Sequence, residues 1–345
     1  MNTVRLATYN VALNRAHSGD LLTELAASPG QQIQSLLQVM TAVDADVWII
    51  NELDYDHGHQ ALSLLQARLR EAGMDFPYSF TAPVNTGVPS GRDLVKQNPR
   101  QPKNTPFGYG EFPGQYGMAV LSAFPLKAAQ CRTFQHFLWR DMPDAMLPAN
   151  PDGTAFYTDE DLNVLRLSSK SHWDLPVELP SGLCHLLISH PTPPAFDGPE
   201  RRNVCRNHDE IRFWVDYIDD QRYITDDLGR VGGLAQDRPF IVAGDLNASP
   251  DGGDSNSDAI RRLLTHQRIR TLRPCSARGH DLTARWNLRA DYVLPSKQIP
   301  ILETSVLWPR PTEPLRQTVE QASDHRPVWL DIRTETLTND VLRPT

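Results

Sequence analysis

The sequence predicts a layered α/β sandwich, on three observations. Nine short apolar runs read as strands, while only four stretches carry helical apolar spacing. Strands and helices follow one another irregularly, which argues against a regular βαβ barrel. Pro contributes 28 of the 345 residues, about 8% against a usual ~5%. Because Pro removes a backbone donor and breaks helix interiors, a helical bundle is disfavoured and long irregular connections are expected.

The strand candidates, in order, are residues 5–11, 47–51, 118–122, 162–167, 185–189, 239–244, 291–294, 306–308 and 328–332. Several are apolar almost throughout, as expected of strands covered on both faces. The helix candidates are 31–43, 59–72, 209–220 and 258–264. In 209–220, Ile211, Val215 and Ile218 recur at helical spacing, and Phe213 and Trp214 broaden the stripe. Two segments resist assignment. Residues 77–114 hold seven prolines and five glycines, and 139–161 is rich in Pro, Asp and Asn. Connections this long in a compact domain usually serve as lids or binding loops. With no internal repeat, one domain over 1–335 is expected, with long loops at about 77–116 and 139–161 and a tail at 336–345.

Composition narrows the function classes. Hydrophobic residues at 40%, charged at 22% and aromatic at 8% are those of a globular chain, not a disordered or fibrous one. The net charge is −8, from 34 basic and 42 acidic residues. A protein that tracks long nucleic acid normally presents a basic face, so a processive binder is disfavoured. Excess acid suits a divalent-cation site. No run has the length of a membrane span, and the N-terminal residues lack the order of a signal peptide. A mature exported chain would read the same way, so location stays open. Cys131, Cys184, Cys205 and Cys275 lack CxxC spacing, which excludes a zinc ribbon and leaves both disulfides and free thiols open.

Polar residues sit where the apolar runs end. Residues 5–9 lead into Asn10, Val47-Trp48-Ile49-Ile50 into Asn51-Glu52, and Leu186-Leu187-Ile188-Ser189 into His190. Phe240-Ile241-Val242-Ala243-Gly244 leads into Asp245-Leu246-Asn247, and Ser323-Asp324-His325 precedes Val328-Trp329-Leu330. Strand ends share one edge of a sheet, so these residues can converge. Burying that many carboxylates costs several kcal/mol each unless they are paired or metal-bound. Carboxylates, amide and histidines without a thiolate suit a hard cation such as Mg²⁺ or Mn²⁺.

Taken in order, these motifs resemble the endonuclease/exonuclease/phosphatase superfamily, the deoxyribonuclease I-like fold. The matching segments are Thr8-Tyr9-Asn10-Val11, Ile50-Asn51-Glu52, Tyr116-Gly117-Met118-Ala119-Val120-Leu121-Ser122, Ser189-His190-Pro191, Gly244-Asp245-Leu246-Asn247, Arg289-Ala290-Asp291-Tyr292-Val293-Leu294 and Ser323-Asp324-His325-Arg326-Pro327-Val328. They span residues 8 to 328, and seven in family order are far more specific than any one. The resemblance implies a four-layered α/β sandwich of two packed mixed β-sheets flanked by helices, with the site at the strand ends. It also implies metal-dependent hydrolysis of a phosphoester by in-line attack of water.

Carried over residue by residue, Glu52 is the expected principal metal ligand, with Asn10 beside it and Asp324 near the ion. Asp245 and Asn247 are expected to orient water and the scissile phosphate. His325, held by Asp291, is expected to face the phosphate, with His190 supporting the developing charge. The resemblance leaves open whether Asp245 or the Asp291–His325 pair is the base. The chemistry agrees: negative charge grows on phosphoryl oxygens and then on the leaving oxygen, and a cation, histidines and an amide can each meet it. No Cys-based signature or Gly-rich phosphate cradle is present, which disfavours a covalent phosphoenzyme.

Two further segments are characteristic of this chain. Lys170, one of five lysines against 29 arginines, lies among Ser168, Ser169 and Ser171 with His172 following. It reads either as a contact to a substrate phosphate or headgroup, or as a polar turn. The stretch 197–210 follows His190 and opens a helix, with Asn207 or Asp209 as the expected N-cap. It would bring Arg202, Arg206, Asn207 or His208 to the rim, or else form a solvated helix start. Similar Arg-Asn-His-Asp-Glu stretches occur in a bacterial, often exported branch of the superfamily, which favours a periplasmic or secreted location. Eight arginines between Arg261 and Arg289 could track a phosphate backbone, although arginine dominates lysine throughout. Trp139, Trp173 and Trp286 fall near the rim loops, where a ring could stack on a base; burial is the commoner fate.

The expected activity is hydrolysis of a small or medium phosphodiester or phosphomonoester. The alternatives are a metal-dependent nuclease on DNA or RNA and a catalytically silent binding module. The superfamily spans nucleic acids, phosphoinositides, sphingomyelin and nucleotides, so the motifs do not choose the substrate. No protein partner is implied.

Overall fold

The near-continuous apolar runs are strands buried on both faces. The computed structural model describes residues 3–96 and 103–334, so the expected tail at 336–345 lies outside the described residues. One sheet contains β1 (Thr3–Leu13), β2 (Val47–Leu53), β3 (Tyr78–Phe80), β6 (Met118–Ser122), β11 (Cys275–Ser276), β13 (Ile301–Val306) and β14 (Val328–Arg333). Their spatial order is β11-β13-β14-β1-β2-β6-β3. A second sheet contains β7 (Arg132–Thr133), β8 (His172–Leu179), β9 (Gly182–Ser189), β10 (Phe240–Asp245) and β12 (Asp291–Pro295), in the order β12-β10-β9-β8-β7. Both sheets are mixed: β1 runs parallel to β2 and antiparallel to β14, and β10 parallel to β9 and antiparallel to β12. A separate pair, β4 (Pro89–Arg92) with β5 (Thr105–Pro106), occupies part of the Pro/Gly-rich segment.

Period-two alternation builds the layers. Leu6, Val47, Ile49, Leu186, Ile188, Ile241 and Val293 point into one core shared by the two sheets. Their neighbours Ala7, Trp48 and Ile50 turn outward against helices α1 (Asp20–Ala26), α2 (Gln31–Val43), α3 (Gln60–Glu71) and α7 (Leu315–Ala322). On the far side, Leu187, Val242 and Leu294 pack under α5 (Arg202–Ile218) and α6 (Ser257–Leu264). Helix, sheet, sheet and helix therefore stack as a four-layered sandwich. Each fully buried Ile or Leu contributes on the order of 2 kcal/mol by leaving water.

The structure adds short elements such as α1 and α7 that the sequence reading did not mark, and it differs from that reading elsewhere. Residues 162–167 are not a strand: Thr158 caps a short helix, α4 (Asp159–Leu162), reciprocally with Asp161, and Leu165 and Leu167 then anchor a loop in the core. Of the strand expected at 306–308 only Val306 is in one, as the last residue of β13, whose earlier residues are half exposed and so lack an apolar run. Strand β8 escaped the apolar criterion because His172, Asp174 and Glu178 interrupt it, yet it pairs with β9 along its whole length. Helix α5 starts at Arg202, seven residues before 209. Neither Asn207 nor Asp209 caps it; the carboxylate of Asp197 accepts from the backbone N–H groups of Asn203 (2.9 Å) and Val204 (3.0 Å).

The segment 139–161 is pinned to the α5 layer. Asp209 accepts from Trp139 Nε1 at 2.7 Å and Met146 N at 2.6 Å, while Asp161 pairs with Arg92 and Lys96. All four cysteines are free thiols. Among the described residues no helix is long and apolar enough to cross a membrane.

Candidate active site

Strand direction brings the polar strand ends together. The parallel strands β1, β2, β9 and β10 deliver the C-terminal residues Asn10, Glu52, His190 and Asp245 to one edge. The antiparallel partners β12 and β14 present their N-terminal ends there, carrying Asp291 and, just upstream, His325. Asp245 and Asp291 are register partners. The close approach of β9 and β10 requires Gly244: its φ is +144°, and a Cβ there would lie 2.1 Å from the Ser189 carbonyl oxygen.

The groups contact one another directly. Asn10 Nδ2 donates to Glu52 Oε1 and Asp245 Oδ2, both at 3.0 Å, and its Oδ1 accepts from Ala12 N. In this arrangement Asn10 spaces two carboxylates. His190 Nε2 lies 3.5 Å and His325 Nε2 3.6 Å from the same Asp245 Oδ2. His325 Nδ1 donates to Asp291 Oδ2 at 2.8 Å, and Thr283 Oγ1 donates to that oxygen at 2.7 Å. Ser323 Oγ accepts from His325 N and donates to the Asn10 carbonyl, which locks the two strand ends. Asn51 Oδ1 accepts from Asp245 N at 3.0 Å and joins the two sheets at the site. Asn247, at φ +51°, donates its backbone N–H to Asp245 Oδ1 and its Nδ2 to the Pro191 carbonyl.

The electrostatics separate the two histidines. Burial drives His190 well below its ordinary value, and the charges of Lys170 and His325 add to that, so it is neutral. Burial also opposes charge on His325, but the carboxylates of Asp291 and Asp245 outweigh it and lift the imidazole to about 10. Burial raises Asp245 to about 7, against the pull of His325. Burial likewise raises Glu52, although Asn10 and His325 favour its ionised form.

The donor set fits a hard divalent ion. Glu52, His190 and Asp245 offer ligand atoms all within 4.8 Å of one another, as do Asp245, Asp291 and His325. Asp291 Oδ1 and His190 Nδ1 are buried without hydrogen-bond partners among the described residues. Closely spaced buried carboxylates of raised pKa are what an oxygen-preferring cation compensates. Asp324 lines the same cleft but stands outside both clusters.

The six residues expected to touch substrate divide. His172 pairs in register with Ser189, so Lys170, two residues earlier, lies beyond that strand end at the cleft. Its side chain is only 6% exposed, and its ammonium has no hydrogen bond or ion pair among the described residues. Burial lowers its pKa, opposed by Glu210, Glu52 and Asp245. His172 points into the α5 layer, where its Nε2 donates to the Glu210 carbonyl and its Nδ1 accepts from Ser168 Oγ. The expectation that Arg206 reaches the rim does not hold, because its buried guanidinium donates to the carbonyls of Leu167, Phe107, Arg166 and Ser168. Arg202 is paired with Glu200. Asn207 Nδ2 donates to the carbonyls of Thr192 and Leu246, bracing the loops after β9 and β10. His208 Nδ1 contacts Asp209 and its Nε2 faces Asp258 at 3.6 Å, away from the carboxylate–histidine cluster.

Two residues that the sequence did not single out support the site. Thr283 buttresses Asp291. Glu210 accepts from Ser169 N, Ser169 Oγ and Thr192 N, joining the segments that carry Lys170 and His190. Neither stands at a strand end, the one signal that marked the others.

Fold and cleft together define a deoxyribonuclease I-like sandwich with a carboxylate–histidine site at its strand ends. The chain belongs to the endonuclease/exonuclease/phosphatase family, whose sequence profile matches residues 7–325. Among solved structures it is similar to an endonuclease/exonuclease/phosphatase from Beutenbergia cavernae, at TM-score 0.55 and 16% identity, covering 96% of this chain and 72% of that one. A family protein from Leptotrichia buccalis matches at TM-score 0.52 and 14% identity, covering 95% and 99%. Beta toxin from Staphylococcus aureus, in a form with bound magnesium ions, matches at TM-score 0.50 and 15% identity, covering 95% and 98%. No curated protein matches the chain significantly.

Proposed function

We propose that this protein is a divalent-metal-dependent hydrolase that cleaves a phosphodiester or phosphomonoester of bounded size by in-line attack of water. The observation that carries the reading is the placement of Asp245 Oδ2 between a neutral His190 and a charged His325, beside Glu52.

Glu52, with Asp324 beside it on the cleft, would hold Mg²⁺ or Mn²⁺, and Asn10 would keep the Glu52 carboxylate in place through its Nδ2. When bound, such an ion supplies positive charge to the phosphoryl oxygens as they become more negative. Asp245, raised into the neutral range, is matched to accept a proton from the attacking water. Asn247 holds the Asp245 carboxylate through its backbone N–H and presents its amide to the phosphate. His325, charged and fixed by Asp291, donates to a phosphoryl oxygen or the leaving group. His190 supports the same charge from the other side, and Lys170 adds a buried ammonium that makes no hydrogen bond among the described residues. The acidic overall charge and the engagement of Arg202 and Arg206 elsewhere favour a small substrate over duplex nucleic acid.

The test is hydrolysis of bis-p-nitrophenyl phosphate and p-nitrophenyl phosphate with EDTA, Mg²⁺ or Mn²⁺, beside a plasmid-nicking assay. Metal-dependent nitrophenol release that disappears in His325→Ala, with little nicking, is expected. Efficient nicking would favour the nuclease. No release with any metal would overturn the hydrolase.

A further inference from the structure

The active-site cleft, about 380 Å³ in volume, has two unlike walls. One is the polar cluster described above. The other is apolar and comes from two loops that no catalytic motif includes: Pro193, Pro194 and Phe196 after His190, and Trp286 and Leu288 before Asp291. Phe196 is 89% exposed and Trp286 47% exposed, although most large apolar side chains of the chain are buried. Trp139 and Trp173, by contrast, are core residues.

Both aromatics are held by their surroundings. Ala195 O accepts from Asn203 Nδ2 at 2.7 Å, and Asp197 caps α5, so the backbone is tied on both sides of Phe196. Phe196 itself adopts φ +59°, a left-handed conformation that bulky side chains rarely take. A strained backbone that presents an aromatic ring to water serves no packing purpose. Trp286 sits at the tip of a tight turn closed by Asn287 N to the Ala284 carbonyl, with Asn287 at φ +63°. Arg285 N donates to the Asp324 carbonyl at 2.8 Å, and the Trp286 ring meets His325 edge-on at 5.0 Å. The loop that carries the indole is therefore hydrogen-bonded to the segment that carries the proposed catalytic histidine.

We infer that Phe196, Trp286, Leu288 and the Pro193–Pro194 segment form a subsite for an apolar substituent attached to the phosphoryl group that the polar wall binds. This rests on the phosphoester reading given above and narrows its substrate class: one side of the scissile ester is a flat ring or a hydrocarbon chain. Bare inorganic phosphate presents nothing for this wall to cover.

The test measures binding independently of turnover. Methyl-, hexyl- and phenylphosphonate are titrated calorimetrically into the full chain in excess Mg²⁺. Phenyl- or hexylphosphonate is expected to bind about tenfold or more tightly than methylphosphonate, the preferred one distinguishing a ring from a chain. That advantage should fall below about threefold in Phe196→Ala and Trp286→Ala, and Trp286→Phe should restore part of it. Melting curves confirm that the variants are folded. Equal affinity for all three phosphonates, no measurable binding of any, or an advantage untouched by both alanine variants overturns the subsite. Failure of metal-dependent p-nitrophenyl ester hydrolysis with the phosphonate preference intact would instead sink the proposed function and leave the subsite standing.

Discussion

Asp245 and Asp291 face each other across β10 and β12, and His325 bridges them, with Nδ1 2.8 Å from Asp291 and Nε2 3.6 Å from Asp245. Asp291 thus fixes which nitrogen of His325 faces the cleft and sustains its charge. Asp291→Asn is expected to lower kcat by roughly 10²–10⁴-fold with little change in KM. Steady-state kinetics on a p-nitrophenyl ester check this. An unchanged kcat would remove the pair from the reaction.

Glu52→Gln removes the one carboxylate that Asn10 holds toward the cleft apart from Asp245. The metal concentration for half-activation should rise roughly 10–100-fold or more. Titration of Mn²⁺ followed by calorimetry reads the affinity without turnover. An unaltered Mn²⁺ affinity would place the ion elsewhere.

Gly244→Ala is expected to destabilise the fold by about 3 kcal/mol, because a Cβ would overlap the Ser189 carbonyl and force β9 from β10. Gly182→Ala is the control, since it also has positive φ but open space around it, and should cost only about 1 kcal/mol. Urea midpoints of the two variants separate the overlap from backbone strain.

Lys170→Met and Arg206→Met should part company, although both cations lie in stretches with similar sequence signals. The first should reduce turnover while keeping the melting temperature, because its ammonium satisfies no protein group among the described residues. The second should lower stability by about 3 kcal/mol or more by leaving buried carbonyls unsatisfied. Loss of stability in Lys170→Met would assign it a structural role.

His172 gives the fold a pH dependence. Burial lowers its pKa to about 4, so the unfolded chain binds its proton near pH 6.5 and the folded chain only near pH 4. Its contribution is therefore fully present above pH 6.5 and is lost as pH falls to 4, on the order of 3 kcal/mol. The difference in urea midpoint between pH 7 and pH 4.5 should shrink in His172→Gln.

Legibility followed the range of the signal. Both-face burial made β1, β2, β9 and β10 readable, and the polar residues at their ends marked Asn10, Glu52, His190 and Asp245. Strand β8 was hidden because its polar residues are answered by distant partners, such as Tyr217 for Asp174. The start of α5 was hidden because its capping carboxylate, Asp197, stands several residues upstream of the first helical N–H groups.

The sequence by itself determined the layered α/β class, the family and the convergence of carboxylates and histidines, since each depends on residue type and local period. The tertiary structure decided which polar side chains face the cleft. Register between β8 and β9 places Lys170 at the site and turns His172 into the α5 layer, packing of α5 buries Arg206 among carbonyls, and the loops beside the cleft leave Phe196 and Trp286 exposed. The aim of a side chain depends on strand register and on partners far away in the chain, and no local pattern records either.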